Sequence, residues 1–475
     1  MTSVLARDYG LAGPETKRAI DRGLTEADWY TSAVDPARLK ELMARSDGRA
    51  IVDIGLWLLL IVAAGLLGFA SLGSWWAIPA FAVYGALWGG AADSRWHECS
   101  HGTAFRTGWL NTVVYYMASF MLLRDPTVWR WSHVRHHSDT IVVGRDPEII
   151  FPRPPSFFNY GLNIFNLKAG TFGLRRTVRH AFGKISAADL SYIPESERHK
   201  VVVEGRAYVA MLLMVVVLSA ATRSIVPLLY VGLPTFYGFW LVLFFGTTQH
   251  AGLQEDVLDH RLNSRTVYMN PVFRFLYLNM NYHIEHHMFP TVPYPNLSSL
   301  HTEIKHDLPT PSPSTLAAYR EIFQTLNRQR HDPSFELQGR FDGADYPPSK
   351  GGSISAIAES LPVHAVDDGW ADLGSVDGFS EGSVGRVDVA ESTYALYVVA
   401  GQFYATDGIC THSRRVHLGD GLIIDGQIEC PKHNGRFDIA SGEPTRAPVC
   451  EALSTHEVRI ENGRVRLFVG GEQDR

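Results

Sequence analysis

"NYHIEHHMFP", residues 281–290, places His283, His286 and His287 within five positions. On a helix, residues i, i+3 and i+4 share a face, so one turn can aim all three imidazoles at a single point. The stretch has companions: "HECSH" carries His97 and His101, "HVRHH" carries His133, His136 and His137, and His250 stands alone in "TTQHAGL". Whether these nine side chains meet depends on the segments between them.

Those segments are apolar. "IVDIGLWLLLIVAAGLLGFAS" (51–71) is long enough to cross ~30 Å of hydrocarbon as a helix. "WWAIPAFAVYGALWGGAA" (75–92) follows after an uncharged turn and should return the chain, its paired tryptophans suiting an interface. "AYVAMLLMVVVLSAAT" (207–222) and "IVPLLYVGLPTFYGFWLVLFFGTT" (225–248) read as a second hairpin with Arg223 in its turn. The shorter "TVVYYMASFMLL" (112–123) suits a re-entrant or interface helix whose ends face the same side. Four crossings then put His97, His133, His250 and His283, with their neighbours, on one face.

Charge gives that face a side. Lys17, Arg18, Arg22, Arg38, Lys40, Arg45 and Arg49 precede the first span and many more lie between 124 and 206, whereas the opposite turns carry only Arg223, which places the histidines in the cytosol. No basic start, apolar stretch and cleavage site opens the chain, so no secretory signal is read. The expected location is an integral membrane of the bacterial inner-membrane kind, with the lipid bilayer as partner. A net charge of −6 and no basic block argue against nucleic acid.

Neutral imidazole suits zinc, copper, iron and nickel, and nine ligands exceed what one tetrahedral ion uses, so two metals are implied. A pair of irons beside an apolar phase would serve to activate O₂. The plainer alternative is histidines that bind lipid phosphates or loop backbone. Glu98, Asp139 and Glu285 lie among the clusters and could take the second ring N–H of a ligand. Cys99 reads as packing, and His180, His199, His260 and His301 as surface histidines.

The pattern HxxxH, HxxHH, HxxHH with one more histidine after the last span resembles the integral-membrane fatty acid desaturase and alkane hydroxylase superfamily over roughly residues 50–310. That resemblance implies a non-haem di-iron centre held by His97, His101, His133, His136, His137, His250, His283, His286 and His287, with no catalytic side chain beyond the ligands. "TQHAGLQEDVLDHR" and "NMNYHIEHHMFPTVPY" further resemble the desaturase-like branch of bacterial rhizopine catabolism, implicated in O-demethylating a methylated inosamine.

Beyond "DLPTPSPS", residues 315–330 suit one amphipathic helix and 331–360, rich in Gly, Pro, Ser and Asp, reads as a linker. Short alternating runs such as "YALYVVAGQFYATDG" then signal a small all-β domain over 361–472. Within it "CTH" (Cys410, His412) and "CPKH" (Cys430, His433) supply two cysteines and two histidines, which on count alone could hold zinc. "CPKHNGRFDIASGEP" resembles the Rieske ferredoxin family, which implies one [2Fe-2S] cluster with two Cys on one iron and two His on the other. Some high-potential relatives add a disulfide; Cys450 is the one spare cysteine of the domain, so the lower part of the roughly −150 to +300 mV range is expected. Cys450 itself reads as a buried small residue.

The expected fold is therefore an all-α integral-membrane domain (1–330) with about four spans, a re-entrant helix and a cytosolic cap, a linker (331–360), and an all-β Rieske domain (361–472). The expected activity is O₂-dependent desaturation or hydroxylation of an aliphatic C–H bond, with electrons from the fused cluster. O-demethylation of a small methoxylated polar substrate is the alternative, and a non-catalytic metal transporter or sensor the rival from another class. The substrate is then a lipid or a small molecule. With no GxGxxG fingerprint after a strand, a separate NAD(P)H-dependent flavoprotein or ferredoxin reductase is expected to supply electrons.

Overall fold

The computed structural model describes residues 7–25, 27–337 and 360–470. The chain divides into two compact units, one of residues 1–32, 42–288 and 292–351 and the other of residues 33–41, 289–291 and 352–475. Most of the expected linker, together with residues 471 and 472 of the expected β domain, lies outside the described residues.

The helices begin with α1 (Pro14–Asp21), α2 (Pro36–Leu42) and α3 (Asp47–Ala70). By length and composition the stretch Pro36–Ala70 can cross a membrane, as can Glu195–Thr222, which contains α11. Between them come α4 (Ala77–Gly85), a π-turn (Ala86–Gly90), α5 (Ala92–His101), α6 (Gly108–Leu122), α7 (Pro126–Ser138), α8 (Phe157–Ile164), α9 (Ala169–Ala181) and α10 (Ala187–Leu190). After α11 (Arg198–Thr222) the chain runs through α12 (Val226–Tyr230), α13 (Pro234–Tyr237), α14 (Trp240–His250), α15 (His260–Asn263), α16 (Pro271–Tyr277), α17 (His283–Met288), α18 (Leu297–Ile304) and α19 (Thr315–His331).

Two of the expected spans are not continuous helices. The 75–92 stretch is interrupted by the π-turn, and the 225–248 stretch breaks between α12, α13 and α14. The two interruptions face each other. A Cβ on Gly238 would stand 1.8 Å from the Gly85 carbonyl oxygen, and one on Gly89 would stand 2.2 Å from that of Pro234. Backbone meets backbone at this crossing, which only glycine permits. Pro227 and Pro234, which lack the N–H that an interior turn needs, each start a new short helix.

Helix α7, which carries three candidate ligands, is fastened at its start. Pro126 sits in its first turn, and Glu204 of α11 accepts hydrogen bonds from the Thr127 N–H and hydroxyl, both at 2.8 Å, and from the Tyr116 hydroxyl at 3.1 Å. Glu204→Ala leaves the buried Thr127 N–H without its acceptor and should cost about 1–3 kcal/mol, read as a lower melting temperature in detergent. Asp125, at the cap of α7, accepts from Thr177 and His180 of α9, both at 2.6 Å.

His180 is thus not the surface residue expected from sequence. It is fully buried between Asp125 and Asp189. Burial lowers its pKa, but hydrogen bonds and charge from the two carboxylates outweigh this and leave it raised. A raised folded value means that this contribution is complete below the unfolded pKa near 6.5 and is lost as pH climbs through the folded value. The melting temperature of His180→Gln should accordingly vary less with pH above about 6.5 than that of the parent protein.

Among the described residues of the second unit the named strands pair antiparallel, in three four-stranded sheets. The first has the order β1 (Ala365–Asp367), β2 (Trp370–Ser375), β12 (Arg464–Phe468), β11 (Val458–Glu461). The second has β10 (Thr455–His456), β5 (Gln402–Asp407), β4 (Ser392–Val399), β3 (Val384–Val389), and the third β6 (Leu422–Ile424), β7 (Gln427–Glu429), β8 (Arg436–Asp438), β9 (Pro444–Arg446). Alternating side chains of β4, β7 and β8 (Ala395, Tyr397, Ile428, Phe437) build one core with Cys410 and Cys430.

Candidate metal centre

The nine histidines singled out by their motifs meet, in two groups. His97, His101, His133, His137 and His286 form one; His136, His250, His283 and His287 form the other, and within each group the ligand nitrogens all lie within 4.8 Å of one another. The split runs through the motifs. Each HxxHH helix gives its i, i+4 pair to one group and its remaining histidine to the other, so α7 keeps His133 with His137 but lends His136, and α17 keeps His283 with His287 but lends His286. The expectation that one turn aims three rings at one point is corrected here. At 3.6 residues per turn, i+4 leads i by about 40° and i+3 trails it by about 60°, so the second and third rings diverge by about 100°.

Ring orientation is set from outside. His136 Nδ1 donates to Asp146 at 2.9 Å, His133 Nδ1 to Glu148 at 3.3 Å, and His250 Nδ1 to the Asn263 carbonyl at 2.8 Å. Thr140 gives its one hydroxyl proton to the His136 carbonyl at 2.7 Å and therefore accepts from His287 Nδ1 at 3.2 Å. These four rings carry their proton on Nδ1 and present a bare Nε2 inward. There the nitrogens crowd. Nε2 contacts run at 3.0 Å for His101–His133, 3.2 Å for His133–His137, 3.2 Å for His137–His286, 3.0 Å for His250–His283 and 3.1 Å for His283–His287.

A pair of cations fits this donor set. Burial, reinforced by neighbouring imidazoles, holds the pKa values of His97, His137, His250, His283, His286 and His287 well below the usual histidine range, so none carries its own charge at neutral pH. Both ring nitrogens of His97 and Nδ1 of His137, His283 and His286 are buried with no hydrogen-bond partner. Lone pairs packed this closely repel unless something positive sits between them.

Asp146 and Glu148 were missed by the sequence reading, which favoured Glu98, Asp139 and Glu285 for lying inside the motifs. Those three turn elsewhere. Glu98 accepts from Thr103 and the Tyr294 N–H, and burial pushes its carboxyl up to about 7. Asp139 pairs with Arg135 and Arg145, and Glu285 with His301 and Thr266. Asp146 and Glu148 come from "GRDPEII", one loop beyond the motif. Asp146 also accepts the N–H of Ile141 at 2.7 Å, fixing a β-branched residue at φ +56°, a conformation such residues rarely adopt. Glu148 also accepts from the Ser132 hydroxyl at 2.8 Å. Asp146→Asn should weaken metal binding to the four-histidine group by roughly 10–100-fold, measured by competition with a chelator.

Two more histidines are buried against expectation, and His199 is exposed as expected. His260 stacks on Trp29 at 4.3 Å between ring centres and lies 5.1 Å from His287, while His301 packs beside Glu285. Cys99 is buried, as expected, outside both groups.

A cavity of about 350 Å³ reaches His97, His133, His136, His250 and His283, and so touches both groups. Its wall includes the apolar Ile150, Phe151, Phe239, Val242 and Leu243. It also includes Asp93, Arg124, Glu148 and Gln249; Asp93 and Arg124 are paired at 2.5 Å, and Trp96 and Trp129 lie under the guanidinium at 4.5 and 4.6 Å.

In the β unit, Cys410 and Cys430 are 1 % exposed and His412 and His433 half-buried, so the thiols lie inward and the imidazoles at the rim. The two Nδ1 atoms stand 3.2 Å apart. Backbone hydrogen bonds Cys410 N–H to Val416 O (3.0 Å) and Cys430 N–H to Gly435 O (2.8 Å) close the two loops. Contact between the two thiols, with the Ser413 and His412 N–H groups and Lys432, brings the Cys410 thiol down to about 7, while the same contact and burial push the Cys430 thiol up. Cys450 is exposed, a further correction: Pro448 and Val449 take the buried positions of its loop.

The family model for fatty acid desaturases matches residues 73–317, more than half of the chain, and that for the Rieske [2Fe-2S] domain matches residues 369–457. The C-terminal region is similar to the ferredoxin component of the naphthalene 1,2-dioxygenase/salicylate 5-hydroxylase systems of Ralstonia sp. (42% identical over 98 residues, 21% of this chain and 93% of the relative). It is also similar to that of the Pseudomonas putida naphthalene 1,2-dioxygenase system (41% identical over 98 residues, 21% of this chain and 93% of the relative). Among solved structures, the complex of reduced oxygenase and oxidized ferredoxin in carbazole 1,9a-dioxygenase is 29% identical and covers 23% of this chain and 100% of that one, with a TM-score of 0.22.

Proposed function

Because this chain belongs to the fatty acid desaturase family and carries a Rieske [2Fe-2S] domain at its C-terminal end, we propose that it is a membrane-embedded di-iron oxygenase with its own electron carrier. Its reaction is the O₂-dependent oxidation of an aliphatic C–H bond. The observation that carries this reading is the gathering of nine imidazoles into groups of five and four beside one cavity.

In this reading the nine histidines hold two irons, and Cys410, His412, Cys430 and His433 hold the [2Fe-2S] cluster. A bound di-iron pair supplies O₂ reduction and the oxidising power for C–H cleavage, and the cluster supplies electrons singly. The chain's own residues do the rest. Asp146, Glu148, Thr140 and the Asn263 carbonyl hold four rings in the tautomer that presents Nε2. Ile150, Phe151, Phe239, Val242 and Leu243 pack an aliphatic segment against the histidines and keep water from it, while Arg124, Asp93 and Gln249 bind a polar end. His412 and His433, at the rim of their unit, form the edge through which electrons pass. Carrying both centres on one chain raises their effective concentration for each other. Both centres face the cytoplasm, and a separate NAD(P)H-dependent flavoprotein or ferredoxin reductase supplies the electrons.

The polar residues among the cavity's lining favour a second reading within the same chemistry, O-demethylation of a small methoxylated polar molecule. Iron analysis with Mössbauer spectroscopy tests the common core: about four irons per chain, two of each kind, are expected, and zinc in their place would refute it. Lipid analysis of expressing cells against formaldehyde release from a methoxylated cyclitol separates the two substrates.

A further inference from the structure

Helices α8 and α9 present an unusual surface. Phe158 is 76 % exposed, Phe165 54 %, Phe172 66 % and Phe182 75 %. Over residues 157–184 there are five basic residues (Lys168, Arg175, Arg176, Arg179 and Lys184) and no acidic one. Arg176 turns inward to Asp189 and Trp129, and the other four cations are exposed. Along α9 the exposed stripe reads Phe172, Arg175, Val178, Arg179, Phe182, so aromatic and cationic groups share one face. A water-facing helix would segregate its aromatics inward. Aromatics and long cations side by side on an outer face are the pattern of a helix lying in lipid headgroups, rings toward the acyl chains and cations reaching back to phosphate.

The same helices wall a second cavity of about 490 Å³, to which Lys168, Phe172 and Arg175 contribute. It shares Ile149, Ile150, Phe151, Asn163, Ala169 and Leu243 with the cavity that reaches the histidines. Ile150, on that shared wall, is itself half exposed.

We infer that α8 and α9 lie in the headgroup layer of an anionic bilayer and form the lipid-side wall of the passage to the histidines, so that substrate arrives from the lipid phase. The passage, though not the surface itself, rests on the oxygenase reading above. It narrows the substrate to molecules that partition into membranes.

Two measurements on the full-length protein in vesicles of phosphatidylcholine and phosphatidylglycerol test this. In a Cys450→Ser background, bimane is attached to Phe172→Cys, Phe182→Cys and, as an aqueous control, Glu303→Cys on α18. Doxyl-labelled lipid should quench positions 172 and 182 several-fold more than position 303, and iodide the reverse. Exchanging phosphatidylglycerol for phosphatidylcholine, or introducing Arg175→Glu with Arg179→Glu, should lower the lipid quenching. Equal iodide quenching at all three sites overturns the surface assignment whatever the enzyme does. For the passage, the spin relaxation of doxyl-stearate should quicken in iron-loaded over iron-stripped protein, and Ala169→Trp should abolish that difference at unchanged iron content. Equal relaxation with and without iron, in protein shown to bind two non-sulfide irons, overturns the passage while leaving the di-iron reading standing.

Discussion

His250→Ala should cost the protein one iron, from about four per chain to about three, and depress turnover beyond the roughly 10–100-fold that loss of an outer hydrogen-bonding partner costs. His97→Ala should keep all four irons. The asymmetry follows from the grouping. His250 belongs to the group of four, which is left with His136, His283 and His287, whereas His97 belongs to the group of five, which retains four nitrogens. His250 also positions its group through the Asn263 carbonyl and the Ser264 hydroxyl, whereas neither ring nitrogen of His97 has a hydrogen-bond partner. Iron analysis with Mössbauer spectra of the two variants reads this directly, and equal iron loss in both would show that the two groups do not correspond to two metal sites.

Cys430→Ser should remove the cluster with its two irons and, with it, the advantage of a tethered carrier, an effective-concentration gain of roughly 10²–10⁴. Reduction of the remaining irons by a small chemical reductant should continue, because those ligands lie in the other unit. Cys450→Ser should change neither the visible spectrum nor the iron content, since that thiol is exposed and belongs to neither ligand pair. Rapid-mixing spectra with a flavoprotein reductase distinguish the cases. Undiminished electron delivery in Cys430→Ser would remove the fused domain from the pathway.

The buried carboxylates show where sequence reading falls short. Glu98 and Glu285 sit beside ligands in sequence, but adjacent residues on a helix point about 100° apart, so Glu98 turns to Thr103 and Glu285 to His301. Asp146 and Glu148 reach His136 and His133 because a loop folds back over α7, and a loop path leaves no periodic trace. The broken fourth span has the same origin. Its prolines and glycines were visible, yet their consequence depends on the π-turn packed against them.

The chemistry available is written locally: eight imidazoles at helical spacing and a ninth standing alone, a Cys-x-His and Cys-x-x-His pair in a β-rich segment, and apolar runs that separate them. These are local properties, written in composition and in the 3.6-residue turn. Which histidine belongs to which group, which carboxylates orient the rings and which further histidines are buried emerge from the packing of distant segments. Each of those depends on the direction in which one helix meets another, and a direction in space is shared between distant segments rather than carried by either of them.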